Sequence, residues 1–367
     1  MWIWGALLVF VIVGAGAGIL FLIHRARRFD FVKKIYEKNK ALGWLVSLFP
    51  IAICALFLLV NTVAFVIALL HLVAIWLLCD LVGFIIRKCR KQERREHYIT
   101  GWIAIAATAV YLSYGWFCAH YVFETDYEFK TSKPLGQDRL RIVEIADLHL
   151  GITLDGDEFQ EQCDRVNETQ PDVVFICGDF VDDDSEREDM IKACNALGSL
   201  KTKYGVYWIY GNHDRGYMQY RDFTSAEMLE HLTRNNVTVL RDEAVELTDN
   251  IVIVGREDRS IEDRKTAQQV MSGVDTSKYV IMLDHQPNDY AAEAATHPDL
   301  VLSGHTHGGH IFPAGPIGAL LKANDRIYGT EERDGTTFVV TSGISGWAIP
   351  FKTFTISEFV VIDITNS

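Results

Sequence analysis

No internal repeat and no low-complexity tract occurs in this sequence, and an excess of positive charge is missing from most of it. Residues 124–367 carry 22 Lys+Arg against 43 Asp+Glu, a net of −21. A field of that sign repels polyanions, so nucleic acid is not an expected partner of this part. Acid is the scarce charge in residues 1–123, which hold 5 Asp+Glu against 13 Lys+Arg, a net of +8. With 49% hydrophobic and 23% charged residues, the chain is neither disordered nor collagen-like. At roughly 100–200 residues per domain, its 367 residues make about two units. One is apolar with basic loops, and the other is soluble and acidic.

Trp2–Ile23 lacks any charge over 22 residues and runs straight into His24, Arg25, Arg27 and Arg28. At about 1.5 Å per residue it can cross a hydrocarbon core of about 30 Å. A cleaved signal peptide is the rival reading. It wants a basic residue ahead of the apolar run, and none follows Met1. Ala41–Ile86 has one charge, Asp80, and suits two crossings joined by a turn at Asn61-Thr62. Gly101–Phe123 gives a fourth, with Trp102, Tyr111, Tyr114, Trp116 and Tyr121 along it. Several of these rings sit near its ends, where amphipathic aromatics favour the headgroup level. The expected spans are therefore about 2–23, 41–61, 63–86 and 101–123. His71 and Asp80 fall inside the third. Neither is assigned a role, and Asp80 is near enough to the following basic loop to pair with Arg87 or Lys88.

Cysteine is sparse and uninformative. Cys54, Cys79, Cys89 and Cys118 belong to the membrane part, and Cys177 reads as a small core residue. Cys163 and Cys194 could pair in an oxidising compartment, but both fall on expected helices that sequence alone cannot bring together.

Glu124–Gln137 reads as a charged, extended connector, so residues 124–138 are expected as a linker and 139–367 as an α/β domain. Short β-branched or aromatic runs there end repeatedly in polar residues. Arg141–Ala146 runs into Asp147-Leu148-His149, and Val173–Cys177 into Gly178-Asp179. Val206–Tyr210 leads to Gly211-Asn212-His213-Asp214, Val280–Leu283 to Asp284-His285, and Leu300–Leu302 to Gly304-His305-Thr306-His307. Each run suits a buried strand. Further strands are expected at 238–240, 251–255, 337–341 and 358–364, and helices at 157–168, 185–200, 225–235 and 287–296. Polar residues thus gather at strand ends, the loops that line a shared crevice in α/β sheets.

Those loops hold Asp147, His149, Asp179, Asn212, His285, His305 and His307. All are oxygen or nitrogen ligand types, and the absence of Cys among them disfavours a structural zinc site. Seven such residues at five strand ends can hold two divalent cations with one shared carboxylate. Three His in the later segments suit Mn, Fe or Zn better than Ca or Mg, which prefer oxygen. Gly211, Gly304, Gly308 and Gly309 let the backbone approach a metal or substrate closely.

The motif set Asp147-Leu148-His149, Gly178-Asp179-Phe180-Val181-Asp182, Gly211-Asn212-His213-Asp214, His285 and Gly304-His305-Thr306-His307 resembles the calcineurin-like metallophosphoesterase superfamily. The stretch Ser303–Gly309 with Ile311-Phe312-Pro313 resembles its bacterial membrane-associated branch. The resemblance covers about residues 139–365 and implies two mixed sheets packed face to face with helices outside, a four-layer α/β/β/α sandwich. It implies that one metal binds Asp147, His149, Asp179 and His307, and the other Asp179, Asn212, His285 and His305, with Asp179 bridging. Two cations roughly 3.5–4 Å apart would lower the pKa of a bridging water, and the hydroxide would attack phosphorus in line. By the same resemblance His213 points at the phosphate and protonates the leaving group. Asp182 would hold the far side of its ring. A loop carboxylate in the run Asp182-Asp183-Asp184 is the other reading of that residue. His310 is either a substrate contact or a solvated loop residue, and stays outside the set.

Protein Ser/Thr phosphatases of the superfamily continue Gly-Asp-x-Val-Asp with Arg-Gly, whereas Asp183-Asp184 follows here. An acidic pair grips a phosphoprotein loop poorly, and the negative field disfavours nucleases. A phosphomonoester or phosphodiester of a lipid or lipid-linked molecule is the expected substrate. The alternatives are a UDP-2,3-diacylglucosamine-type pyrophosphate hydrolase, whose known relatives act at the cytoplasmic face, and a non-catalytic metal-binding scaffold or sensor. A transporter is disfavoured because the spans carry few polar interior groups.

Residues 24–40 hold seven Lys/Arg and 87–99 hold six, against none at the N-terminus or at Asn61. Short basic loops stay cytoplasmic, so a multi-pass cell-membrane protein with its acidic domain outside is expected. Losing the first span would not change that side. In intact cells, protease added from outside should remove residues 124–367 while the loop at Arg87–Arg95 stays protected. A domain that resists until the membrane is opened would overturn this topology and restore the sugar-nucleotide substrate.

Overall fold

The computed structural model describes residues 2–91, 97–217 and 220–367, with side chains from residue 11 onward. Arg94 and Arg95 of the second basic loop lie outside the described residues. The chain divides into two compact units between Tyr114 and Gly115.

Among the described residues, three helical stretches are long and apolar enough to cross a membrane: Lys40–Leu59, Thr62–Cys89 and Ile99–His120, the last running past the unit boundary. A further helix covers Trp2–Ala26, of which Val11–Ala26 is a shorter apolar stretch. The expected turn at Asn61 is a helix cap. The Asn61 side chain accepts the Ala64 N–H at 2.8 Å, satisfying one of the unpaired donors that open a helix. Leu22, Phe29, Leu69, Leu72 and Trp76 form the unit's core.

Asp80 pairs with neither Arg87 nor Lys88. Arg25 and Arg28 lie 3.1 and 3.6 Å from its carboxylate, and the Tyr98 and Thr100 hydroxyls donate to it at 2.9 Å. Four groups from the two flanking chain segments satisfy the charge better than one lysine on its own helix. His97 Nδ1 also lies 2.5 Å from Asp30 Oδ2, so the two basic loops meet at one end of this bundle.

Twelve strands build the described second unit: β1 (Val122–Thr131), β2 (Arg139–Ile145), β3 (Val173–Cys177), β4 (Val206–Ile209), β5 (Val237–Leu240), β6 (Glu243–Thr248), β7 (Ile251–Gly255), β8 (Tyr279–Leu283), β9 (Leu300–Ser303), β10 (Gly329–Arg333), β11 (Thr336–Val340) and β12 (Ser357–Asn366). They form two mixed sheets, ordered β1-β12-β2-β3-β4-β5 and β10-β11-β9-β8-β7-β6. Period-two alternation sorts their side chains into layers. Ile142, Phe175, Ile209, Ile253, Ile281 and Leu302 pack between the sheets. Val143, Val174, Ile176 and Trp208 turn to the other face, against Phe159, Met190 and Met228 of helices Gly156–Glu168, Arg187–Gly198 and Ser225–Arg234. Val254, Met282 and Phe338 cover the outer face of the second sheet with Tyr290. The order is the expected α/β/β/α sandwich.

Residues 124–131 of the segment expected as a linker belong to β1. It pairs in parallel with β12 from Val122↔Ser357 to Thr131↔Asn366, and the preceding helix stops at His120 rather than Phe123. Its exposed charged positions read as a connector, yet one side of its backbone is paired with β12 as an edge strand. Cys163 and Cys194 are buried and unpaired, and burial pushes both thiols up, Cys194 to about 12.

One ion network locks the ends of β7 and β8. Buried Arg256 reaches Asp284 at 2.8 Å, Glu293 at 2.7 Å and Asp289 at 3.0 Å, and Arg264 also pairs with Asp284. Removing the central cation leaves buried acids uncompensated, which costs about 3–5 kcal/mol. Arg256→Leu should lower the apparent Tm of the full chain by several degrees; an unchanged melt would contradict this account.

Candidate metal centre

The parallel strands β2, β3, β4, β8 and β9 all deliver their C-terminal ends to one rim, and all seven expected ligands meet there. Asp147, His149 and His307 form one group, with ligand atoms within 4.8 Å of one another. Asp179, His285 and His305 form a second on the same criterion. Asn212 Oδ1 lies 3.2 Å from His285 Nε2 and so faces the second group. Asp179 stands between them: its Oδ2 is 3.1 Å from His285 Nε2 and 3.5 Å from His149 Nε2.

The loops are bent to do this. Asp147, His149, Asp179, His305 and His307 all have positive φ, between 38° and 69°. Five left-handed residues that are not glycine, gathered at one rim, mark a site where the surroundings impose strain. Gly178, at φ 81°, cannot be replaced cheaply, because a Cβ there would sit 2.6 Å from the Gly211 backbone N.

Hydrogen bonds from behind orient the rings. His285 Nδ1 donates to the Cys177 carbonyl at 2.8 Å, which leaves the Nε2 lone pair facing Asp179 and Asn212. His149 Nδ1 lies 3.0 Å from Asp182 Oδ2, so its Nε2 lone pair faces inward, 3.1 Å from His307 Nε2. Asp147 Oδ2 is buried without a hydrogen-bond partner. Burial opposes ionisation of Asp179, but His285, His149 and His213 hold its carboxyl well below the usual range. Burial keeps His307 well below the ordinary imidazole value and, with His285 beside it, brings His305 down to about 4. Burial works against His285 in the same way, yet Asp179 and Asp147 push it up. Carboxylate oxygens, an amide oxygen and imidazole lone pairs thus converge on a common space, the donor set of a divalent cation.

His213 and Asp182 sit beside this space. Asp182 Oδ1 is 2.9 Å from His213 Nδ1 while Oδ2 holds His149. The expected contact to His213 is present, and the carboxylate serves a second ring as well. Burial would lower His213, but Asp182 and Asp179 raise it. His310 is half-buried beside His307, at a ring separation of 5.4 Å, and burial takes it down to about 3.

Sequence reasoning assigned no role to Asp214, although it closes the Gly-Asn-His-Asp motif. Its carboxylate accepts the backbone N–H groups of Asp179, Phe180, Val181 and Gly211 at 2.6–3.2 Å. Burial and Asp179 push it up to about 7, and the Gly211 and Val181 donors pull against them. Tyr217 and Trp347 also went unread; their rings lie 5.0 and 6.0 Å from His213. Single exposed aromatics in loops carry no periodic signal.

The calcineurin-like phosphoesterase family model matches residues 140–309. A metallophosphoesterase of Aquifex aeolicus is 33% identical over 251 residues, 65% of this chain and 90% of that one. The chain belongs to the calcineurin-like metallophosphoesterase family. A Danio rerio transmembrane protein with a metallophosphoesterase domain is 32% identical over 279 residues, 71% of this chain and 61% of that one. A Helicobacter pylori metallophosphoesterase is 32% identical over 230 residues, 61% of this chain and 59% of its own length. The chain therefore spans about three-fifths of these two relatives. Among solved structures, a dimetal phosphatase from Danio rerio aligns at a TM-score of 0.38 and 12% identity, covering 58% of this chain and 88% of that one.

The family implies divalent metals, and the converging acceptor atoms fit them. A carboxylate shared by both groups cannot be lost from one alone. Asp179→Ala should abolish binding of both metals, and elemental analysis that still finds two per chain would refute the shared position.

Proposed function

We propose that this protein is a membrane-anchored, metal-dependent phosphoesterase acting on a lipid or lipid-linked phosphomonoester or phosphodiester. The observation that carries the reading is Asp179 between two groups of imidazoles, with the His213–Asp182 pair alongside. Asp147, His149, Asp179 and His307 would hold one cation, and Asp179, Asn212, His285 and His305 the other. Four imidazoles among seven ligands favour Mn, Fe or Zn. When bound, such cations supply a nucleophile from water at neutral pH and neutralise charge on phosphate oxygens.

The chain's own residues do the rest. Asp179 and Asp147 keep the centre's charge balanced. Asp182 fixes the His213 tautomer, with Nδ1–H toward the carboxylate, and raises the basicity of Nε2. In its protonated form His213 donates from Nε2 to the departing oxygen and stabilises charge on the phosphoryl group. Tyr217 and Trp347, stacked edge-on at its ring, wall the leaving-group side.

The lipid assignment rests on the apolar helices that precede the domain and on the acidic pair Asp183-Asp184, which suits a phosphoprotein poorly. The two basic loops meeting at one bundle end support a common cytoplasmic side, and hence a catalytic unit on the other.

His213→Ala in the full chain should keep its metal content and lose turnover by about 10²–10⁴-fold on a poor leaving group. The loss should shrink on an aryl phosphodiester whose phenolate departs without a proton. Equal losses on both substrates would rule out the acid role. A wild-type chain that binds metal and hydrolyses neither substrate would leave a scaffold or sensor as the reading.

A further inference from the structure

Directly after the candidate ligand His307 the chain exposes an apolar platform. Phe312, Ile317, Leu320, Leu321 and Phe354 are 45–82% exposed, the highest being Leu320 on the short helix Ala314–Leu320. Clustered large apolar groups facing water mark an interaction surface. The structure also indicates what covers it. Residues 115–120, the last turn and a half of the apolar helix Ile99–His120, fold as part of this same unit. Their aromatic rings Trp116 and Phe117, with Tyr121 just beyond, are 41–49% exposed, the signature of a headgroup-level belt.

One segment joins belt to platform. Lys352 N–H donates to the Gly115 carbonyl at 2.9 Å, and the Phe351 and Trp116 rings meet edge-to-face at 5.6 Å. Two residues on, the Thr353 and Phe354 N–H groups donate to the His310 carbonyl at 3.0 and 3.2 Å. The Phe312 N–H donates to Thr353 Oγ1 at 3.1 Å, and the Phe312 and Phe354 rings lie 6.3 Å apart. The platform is thus linked to the end of a helix long and apolar enough to cross a membrane. Lys322 follows Leu321 and is exposed.

We propose that Phe312, Ile317, Leu320, Leu321 and Phe354 insert into the bilayer interface, resting the His307 side of the crevice on the membrane surface. The occupant is lipid, with the apolar side chains about 5–10 Å below the headgroups and Lys322 among them. The assignment uses the apolar helices and not the identity of the substrate.

The test uses the full chain in nanodiscs of phosphatidylcholine and phosphatidylglycerol. Leu320→Cys is placed in a Cys89→Ser background and labelled with bimane, and Leu321→Cys is prepared as a second position. Glu230→Cys, on an exposed helix face, is the control. Acyl-chain bromination should quench bimane at 320 and 321 by roughly twofold or more and leave 230 unchanged. Quenching at 320 and 321 no greater than at 230 would overturn the proposal. So would protection from labelling that grows with protein concentration and lacks bromine quenching, since that identifies a second copy as the occupant. The readout needs no turnover, so this proposal and the hydrolase reading can fail separately.

Discussion

The second unit is organised around one requirement: the Asp179 carboxylate has to face two sets of imidazoles at once. That fixes where β3 must stop and how its loop must turn. Gly178 and Asp179 both take left-handed backbone conformations, and Gly211 of the neighbouring loop comes so close that neither glycine can carry a side chain. Asp214 then gathers the N–H groups of both loops on one buried carboxylate. The geometry of the centre is therefore held by backbone donors as much as by the side chains that face inward.

Division of labour among the acids follows from what each one meets. Asp179 is surrounded by imidazoles and stays ionised. Asp182 is shared between a ring that would face metal and a ring that would face substrate, so two functions are coupled through one carboxylate. Asp284 carries no ligand atom, yet its pairing with Arg256 and Arg264 anchors the backbone immediately before His285. Charge in this domain is thus arranged in layers, with ion pairs outside the centre holding the loops that hold the imidazoles.

Most of the centre was legible because its residues terminate strongly apolar runs. A ligand-type side chain within a few residues of a short apolar strand stands out, and the seven candidates that meet at the rim share that position. What stayed hidden lacked that contrast. β1 alternates Glu and Asp with Phe and Tyr on an edge, which looks like a linker until β12 supplies its partner. β6 and β10 are short edge strands rich in Glu with half-exposed patterns, and they were missed for the same reason. Asp214 is polar, buried and satisfied by backbone alone, so nothing in its neighbours announces its task. The Asp80 pairing was misjudged because proximity in sequence favoured Arg87, while packing brought in Arg25, Arg28 and Tyr98 from other elements.

A single residue, Tyr121, separates the end of the last apolar helix from the first strand of the sheet. A head on a flexible tether samples a volume set by the length of its leash, and can rise to meet a ligand in solution. Here there is no leash. β1 begins one residue after that helix and is paired along its whole length with β12, so its register is set from its first residue. Lengthening the chain at residue 121 would part strand from helix without touching a single candidate ligand.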